Sequence, residues 1–138
     1  MTDNYRKGLD TLARIGGRPD NARNALAEVS PDFARIAIAF PYGEIFSRPG
    51  LDLRTRELLA VVATAALGNA IPQLRSHVAA ALQLGWSQTE VIEALMQTAV
   101  FAGFPAALNA LNECHDLLVI GGDYCAPCQS TVSADGQA

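Results

Sequence analysis

Charge is scarce in this chain. Only 17% of the residues are charged, half are apolar, and the net charge is −4. No basic run is present to track a phosphate backbone, and an acidic chain has no general attraction to an acidic lipid surface, so neither nucleic acid nor membrane is expected as a partner. No apolar stretch reaches the roughly 18 uncharged residues that a membrane span needs, and MTDNYRKGLDTLARIGG lacks the basic-then-apolar layout of a secretory signal. The expectation is a soluble cytoplasmic protein. Cysteine is sparse and odd in number, at Cys114, Cys125 and Cys128, which excludes a disulfide framework as the source of stability and predicts reduced thiols. Histidine is rarer still, His77 and His115 only. Their spacing with the cysteines closes no tetrahedral shell, and no metal site is predicted. Strand-type alternation and nucleotide-binding glycine loops are also missing.

What the sequence does contain is helical periodicity. Tyr5, Leu9, Leu12 and Ile15 recur at three and four residues, a helix over 2–15 that Gly16-Gly17 ends. A short polar helix over 18–28 follows, then a start signal at Ser30-Pro31 for a helix carrying Phe33, Ile36, Ala37 and Phe40 on one face. Pro41 interrupts or kinks that helix, and 42–46 forms a bent continuation before Arg48-Pro49-Gly50. Asp52 caps the next helix, 53–67, whose LLAVVATAAL run is apolar all round except at Thr64, the mark of a helix enclosed by neighbours or by another subunit. Gly68-Asn69 turns the chain into a helix opened by Pro72 and ended by Gly85. Ser87 to Glu90 forms a capping box for a helix over 88–101, and Pro105 opens a last one, with Leu108, Leu111, Leu117 and Leu118 on its buried side. The fold class is therefore all-α, a compact bundle of about six helices around a central hairpin. A chain of this size builds one core, so residues 1–122 are expected to form one domain and 123–138 a small, polar tail. So rich an apolar supply also implies burial between subunits.

Two polar residues stand out in the hairpin LDLRTRELLAVVATAALGNAIPQLRSHVAAALQL. Glu57 precedes an uncharged run, so either a cation answers it, with Arg54, Arg56 and Arg75 as candidates, or its pKa rises toward the range useful for proton transfer. A structural ion pair is the plainer alternative. His77 lies among Val78, Ala79, Ala80 and Ala81, where a hydrogen-bonded core histidine is the plainer reading; Gln73, one turn earlier on the same face, is placed to fix an imidazole or a substrate carbonyl. Glu57 lies about eleven residues from the Gly68 turn and His77 about nine, an axial offset of roughly 3 Å at 1.5 Å per residue, so the two can face each other across the hairpin. His115 sits between Cys114 and Asp116; neighbours on a helix diverge, so it makes no thiol–imidazole pair and reads as a surface or interface residue. Cys125-Ala126-Pro127-Cys128 is a CxxC with no adjacent histidine to activate a thiolate. Tyr42, Phe46, Trp86 and Phe101 are the aromatics that could wall the site.

The stretch 51–111 closely resembles the carboxymuconolactone decarboxylase family: the TREL entry, the GN-x-x-PQL-x-x-H turn and the GFPAALNAL ending occur together and in order, with YGEIFSRPG upstream. The resemblance implies the helical fold shared with alkyl hydroperoxide reductase D proteins, assembled as a homo-oligomer, a hexamer or trimer. It implies a cofactor-independent carbon–carbon lyase of aromatic catabolism acting on an unsaturated lactone acid, with His77 as proton donor or oxyanion partner, Glu57 as its orienting carboxylate, Gln73 as a hydrogen-bond donor and Arg54 or Arg56 as the anion clamp. The redox branch of that superfamily places Cys-x-x-Cys-x-x-x-His after the turn, where this chain has Gln73 four residues before His77. A thiol-dependent peroxidase or disulfide reductase resting on Cys125 and Cys128 is the alternative activity, and a non-catalytic helical assembly module is a third reading.

Overall fold

The computed structural model describes residues 3–17 and 25–119. Every regular element among them is helical, as the periodicity predicts: α1 (Asp3–Arg14), α2 (Pro31–Ile38), a π-helical segment (Ala39–Phe46), α3 (Leu53–Leu67), α4 (Ile71–Gln83), α5 (Gln88–Ala102), α6 (Phe104–Glu113) and α7 (His115–Leu118). Residues 25–29 are also helical. None of these helices is long and apolar enough to cross a membrane. Cys125, Cys128 and the expected tail lie outside the described residues.

Local chemistry accounts for most boundaries. Asp52 caps α3, its Oδ1 accepting from the Thr55 backbone N–H at 2.7 Å. Gly68 ends α3 with φ +74°, a conformation that glycine adopts without steric cost and that turns the chain straight into α4. Ser87 and Glu90 close the predicted capping box. Ser30 occupies the predicted cap position of α2 with extended backbone, but its side chain makes no capping hydrogen bond. Pro41 does not break its helix. Proline has no N–H to donate and its ring crowds the carbonyl four residues before it, and the chain accommodates both by widening into π turns. The predicted last helix is divided at Cys114 into α6 and α7.

Two apolar clusters fill the interior. Val61, Ala65, Leu74, Val78, Val91, Leu95 and Ala110 join α3, α4, α5 and α6. Tyr5, Leu12, Ile38, Leu53 and Ala80 join α1 and the end of α2 to the start of α3 and the end of α4. The hairpin is common to both clusters, and Glu57 lies at their seam, between Leu53 of one and Val61 of the other on a single buried stripe of α3. Of the expected enclosure by neighbours or by another subunit, the chain's own helices supply only part: Leu59 and Leu67 are exposed. The face of Phe33, Ile36 and Phe40 is also turned outward, with Ala34 and Ile38 inward, and Leu108 is exposed while Ala107 and Ala110 are buried.

α1 packs along the π-helical segment by close backbone approach. A Cβ at Gly43 would overlap the Asn4 carbonyl, one at Gly8 would come within 2.6 Å of the Ile38 carbonyl oxygen, and Asn4 Nδ2 donates to Glu44 Oε1 at 2.7 Å. Gly43→Ala is therefore expected to lower stability by about 1–3 kcal/mol, the usual cost of overpacking. Gly50→Ala, where nothing lies within 4 Å of the added carbon, is the control and should change stability by no more than about 0.5 kcal/mol. Chemical denaturation of the two variants beside the parent checks this, and an equally stable Gly43→Ala protein would contradict the packing account.

Candidate functional site

The site begins with the register of the hairpin. With α3 capped at Asp52 and ended at Gly68, Glu57 falls on the inward stripe, and α4 brings His77 opposite it. Glu57 is 0% exposed and its Oε2 lies 2.7 Å from His77 Nδ1. An ionised carboxylate only accepts, so Nδ1 carries the hydrogen of this contact. Nε2 makes no hydrogen bond to any described residue and is the nitrogen left for chemistry, on a side chain that retains 17% of its surface. The second carboxylate oxygen of Glu57, Oε1, is buried with no hydrogen-bond partner among the described residues. An unsatisfied buried carboxylate oxygen costs stability, of order 1–3 kcal/mol or more, and such groups are retained where they serve a function.

The group that answers Glu57 is thus the His77 imidazole and none of the three arginines. Arg75 instead reaches α7, where its guanidinium forms a bidentate pair with Asp116, both contacts at 2.7 Å, and also donates to the Glu113 carbonyl. The Asp116 carboxyl is held below its ordinary value chiefly by hydrogen bonding to Arg75. Arg54 lies with its guanidinium 3.6 Å from the centre of the Trp86 ring and donates to the Gly85 carbonyl, while the Trp86 indole N–H donates to the Arg54 carbonyl at 2.8 Å. This interlock pins the start of α3 to the end of α4. The hairpin is therefore fixed at both ends, by the Gly68 turn and by the Arg54–Trp86 stack, and the Glu57–His77 register between them cannot slip. Arg56 donates to the Leu51 and Arg48 carbonyls and folds the preceding turn against α3. Gln73 is exposed, one turn before His77 on α4.

The wall of the site comes from the π-helical segment. Phe46 stacks near-parallel on His77, with ring centres 6.5 Å apart and planes 22° apart, and Tyr42 contacts Phe46 at 5.3 Å. The Tyr42 hydroxyl is pushed above its ordinary pKa, first by burial and then by the charge of Glu57. The sequence contains the signal for both aromatics, a Tyr–Phe pair four residues apart directly after Pro41. Reading Pro41 as a break or kink leaves their phase relative to His77 undetermined. Of the other two aromatics, Trp86 braces the hairpin and Phe101 is 84% exposed. His115 is exposed and Cys114 buried, so they make no pair.

Comparison with known proteins bears on what this arrangement does. The family model described as the carboxymuconolactone decarboxylase family matches residues 31–116, a span holding Tyr42, Phe46, Glu57 and His77. The chain is 31% identical over 110 residues to 4-carboxymuconolactone decarboxylase of Acinetobacter baylyi, covering 78% of this chain and 81% of that one. It is 32% identical over 122 residues to a 15.0 kDa protein of Paracoccus denitrificans, covering 81% and 91%. A nitrosuccinic acid decarboxylase of Metarhizium robertsii is 32% identical over 97 residues, covering 64% and 63%.

Proposed function

We propose, for a chain that belongs to the carboxymuconolactone decarboxylase family, that it is a cofactor-independent carboxy-lyase whose acid–base pair is His77 and Glu57. The observation that carries the reading is the 2.7 Å contact between His77 Nδ1 and the buried Glu57, which leaves Nε2 unengaged. Two relatives are named for decarboxylating 4-carboxymuconolactone and nitrosuccinic acid. Those two compounds share a design. In each, the carbon that loses CO2 carries a CH2–COO⁻ arm and is joined to an electron acceptor, a vinylogous lactone carbonyl in one and a nitro group in the other. We infer the same substrate class here: a substituted succinate whose substituent takes up an electron pair, with an unsaturated lactone acid of aromatic catabolism as the leading member.

The pair suits such a reaction. Loss of CO2 leaves the bonding electron pair in the acceptor, mainly on oxygen, and a proton must then reach carbon. Glu57 holds the His77 ring through Nδ1, so that Nε2, when protonated, is the hydrogen-bond donor to the developing oxyanion or the proton donor to carbon. Phe46, Tyr42 and the adjoining apolar cluster exclude water from the departing carboxylate, which disfavours its charged form relative to neutral CO2. Gln73 is the hydrogen-bond donor at the mouth. Arg54 and Arg56 brace the Glu57 end of the hairpin and lend it positive potential toward an anionic substrate.

The apolar residues left outside the core support assembly. Phe101 is 84% exposed, Phe104 70% and Val100 76%, clustered at the α5–α6 junction, and Leu67 is 68% exposed. Surfaces of this kind are covered in stable proteins, and we infer a homo-oligomer of trimer or hexamer size. Sedimentation should give a mass that is a multiple of 14.6 kDa. The double substitution of Phe101 and Phe104 by glutamate should shift it toward the single chain, whereas a monomeric parent would contradict the inference.

The catalytic reading is tested by following loss of the unsaturated lactone in the ultraviolet and release of CO2 from nitrosuccinate. The parent should turn over at least one of the two. His77→Ala should lower kcat by about 10²–10⁴-fold, the range for removal of a general acid. Undiminished turnover in that variant would remove His77 from the mechanism.

A further inference from the structure

We propose that Tyr42 is a catalytic residue of the same site, its hydroxyl donating a hydrogen bond to the oxygen on which the electron pair comes to rest when CO2 leaves. The inference rests on the decarboxylase reading for the identity of that oxygen and on the structure for the donor. Tyr42 and Phe46 stand one turn apart on the π-helical segment, with their rings in contact at 5.3 Å, and Phe46 covers the His77 ring. Tyr42 thus stands one aromatic ring away from the imidazole. Its ring packs on the cluster of Leu53 and Ala80, residues one turn before Glu57 and one turn after His77. The Tyr42 hydroxyl lies within electrostatic reach of the Glu57 carboxylate yet makes no hydrogen bond to it or to any other described residue. A half-buried phenol that leaves so strong an acceptor unused has its donor free for a ligand.

The chemistry needs such a group. The bond to the departing carboxyl carbon breaks, its electron pair passes through the conjugated acceptor to oxygen, CO2 leaves, and a proton supplied by His77 and replaced from water goes to carbon. His77 cannot both hold the oxyanion and deliver its Nε2 proton to carbon in one position, so a second donor that keeps its own proton is required. Burial and the Glu57 charge, which push the Tyr42 hydroxyl up, keep it neutral and donating throughout the neutral pH range. A fixed donor aimed at developing charge is the usual source of electrostatic stabilisation in such sites. The segment that carries it is held against α1 by the backbone contacts at Gly43 and Gly8, so the donor is placed before substrate arrives.

Tyr42→Phe removes one oxygen and keeps the ring packing, so its thermal midpoint should match the parent closely. Its kcat should fall by about 10²-fold with KM changed by less than about threefold, the pattern for loss of an interaction made mainly in the transition state. A second measurement does not depend on turnover. The nitronate form of 3-nitropropionate carries carbanion charge on oxygen beside a carboxylate arm, and it should bind the parent at least about tenfold tighter than Tyr42→Phe if one hydrogen bond to a charged group is lost. Parent-like kcat and parent-like nitronate binding in Tyr42→Phe, or a parent that does not bind the nitronate, would overturn the proposal. Tyr42-dependent nitronate binding in a parent that decarboxylates neither compound would instead sink the decarboxylase reading and leave the oxyanion donor standing.

Discussion

A carboxylate with no exposed surface has to be answered, and in this protein the answer is a single imidazole. The Glu57–His77 contact spans the seam between the two apolar clusters, and among the described residues no arginine or lysine reaches the carboxylate. Burying an ionised carboxylate is costly unless the partner is held in place, because a pair that drifts apart leaves an unpaired charge in an apolar interior. Most of the polar architecture of the hairpin serves that constraint. The Asp52 cap and the Gly68 turn set the phase and length of α3, and the Arg54–Trp86 interlock closes the opposite end of the hairpin. The Arg75–Asp116 pair ties α4 to α7 on its far side.

The rest of the fold supplies what the pair lacks. The π-helical segment brings Phe46 over His77 and Tyr42 beside it, and α1 lies along that segment at backbone contact distance, possible only because Gly8 and Gly43 have no side chains. A braced polar hairpin therefore meets an aromatic wall held by α1. Such a pairing of a charged relay with a dry wall suits a reaction that discharges a carboxylate as neutral CO2 and moves its electrons onto oxygen. The apolar residues at the α5–α6 junction, Val100, Phe101 and Phe104, lie outside this arrangement and are exposed.

Much of this was legible in the sequence because it rests on counting and on local chemistry. Glu57 and His77 lie nearly equidistant from Gly68, and that count, with the pattern of apolar residues around each, is enough to bring them face to face. The Asp52 cap and the Ser87–Glu90 box depend on residues three apart in the chain, and both form. The partners of the arginines were hidden because they depend on tertiary placement: Arg75 pairs with Asp116 and Arg54 stacks on Trp86, contacts between residues far apart in sequence. Tyr42 and Phe46 are legible as candidate wall residues, but which of the four candidate aromatics reaches the site is not. A proline inside an apolar helix reads as a break, and only the packing of α1 against Gly43 shows that the chain widens into π turns and keeps Tyr42 and Phe46 in phase with the site. The outward turn of Phe33, Ile36 and Phe40 likewise depends on tertiary packing, which puts Ala34 and Ile38 on the inner face instead.

The central claim is that Glu57 and His77 act as one unit in decarboxylation, and a double-mutant cycle on turnover tests it most directly. Groups that work as a unit lose their function together, so Glu57→Gln, His77→Gln and the double variant should have kcat values within about tenfold of one another, all far below the parent. Losses that multiply in the double variant would show two residues acting independently and would contradict the account.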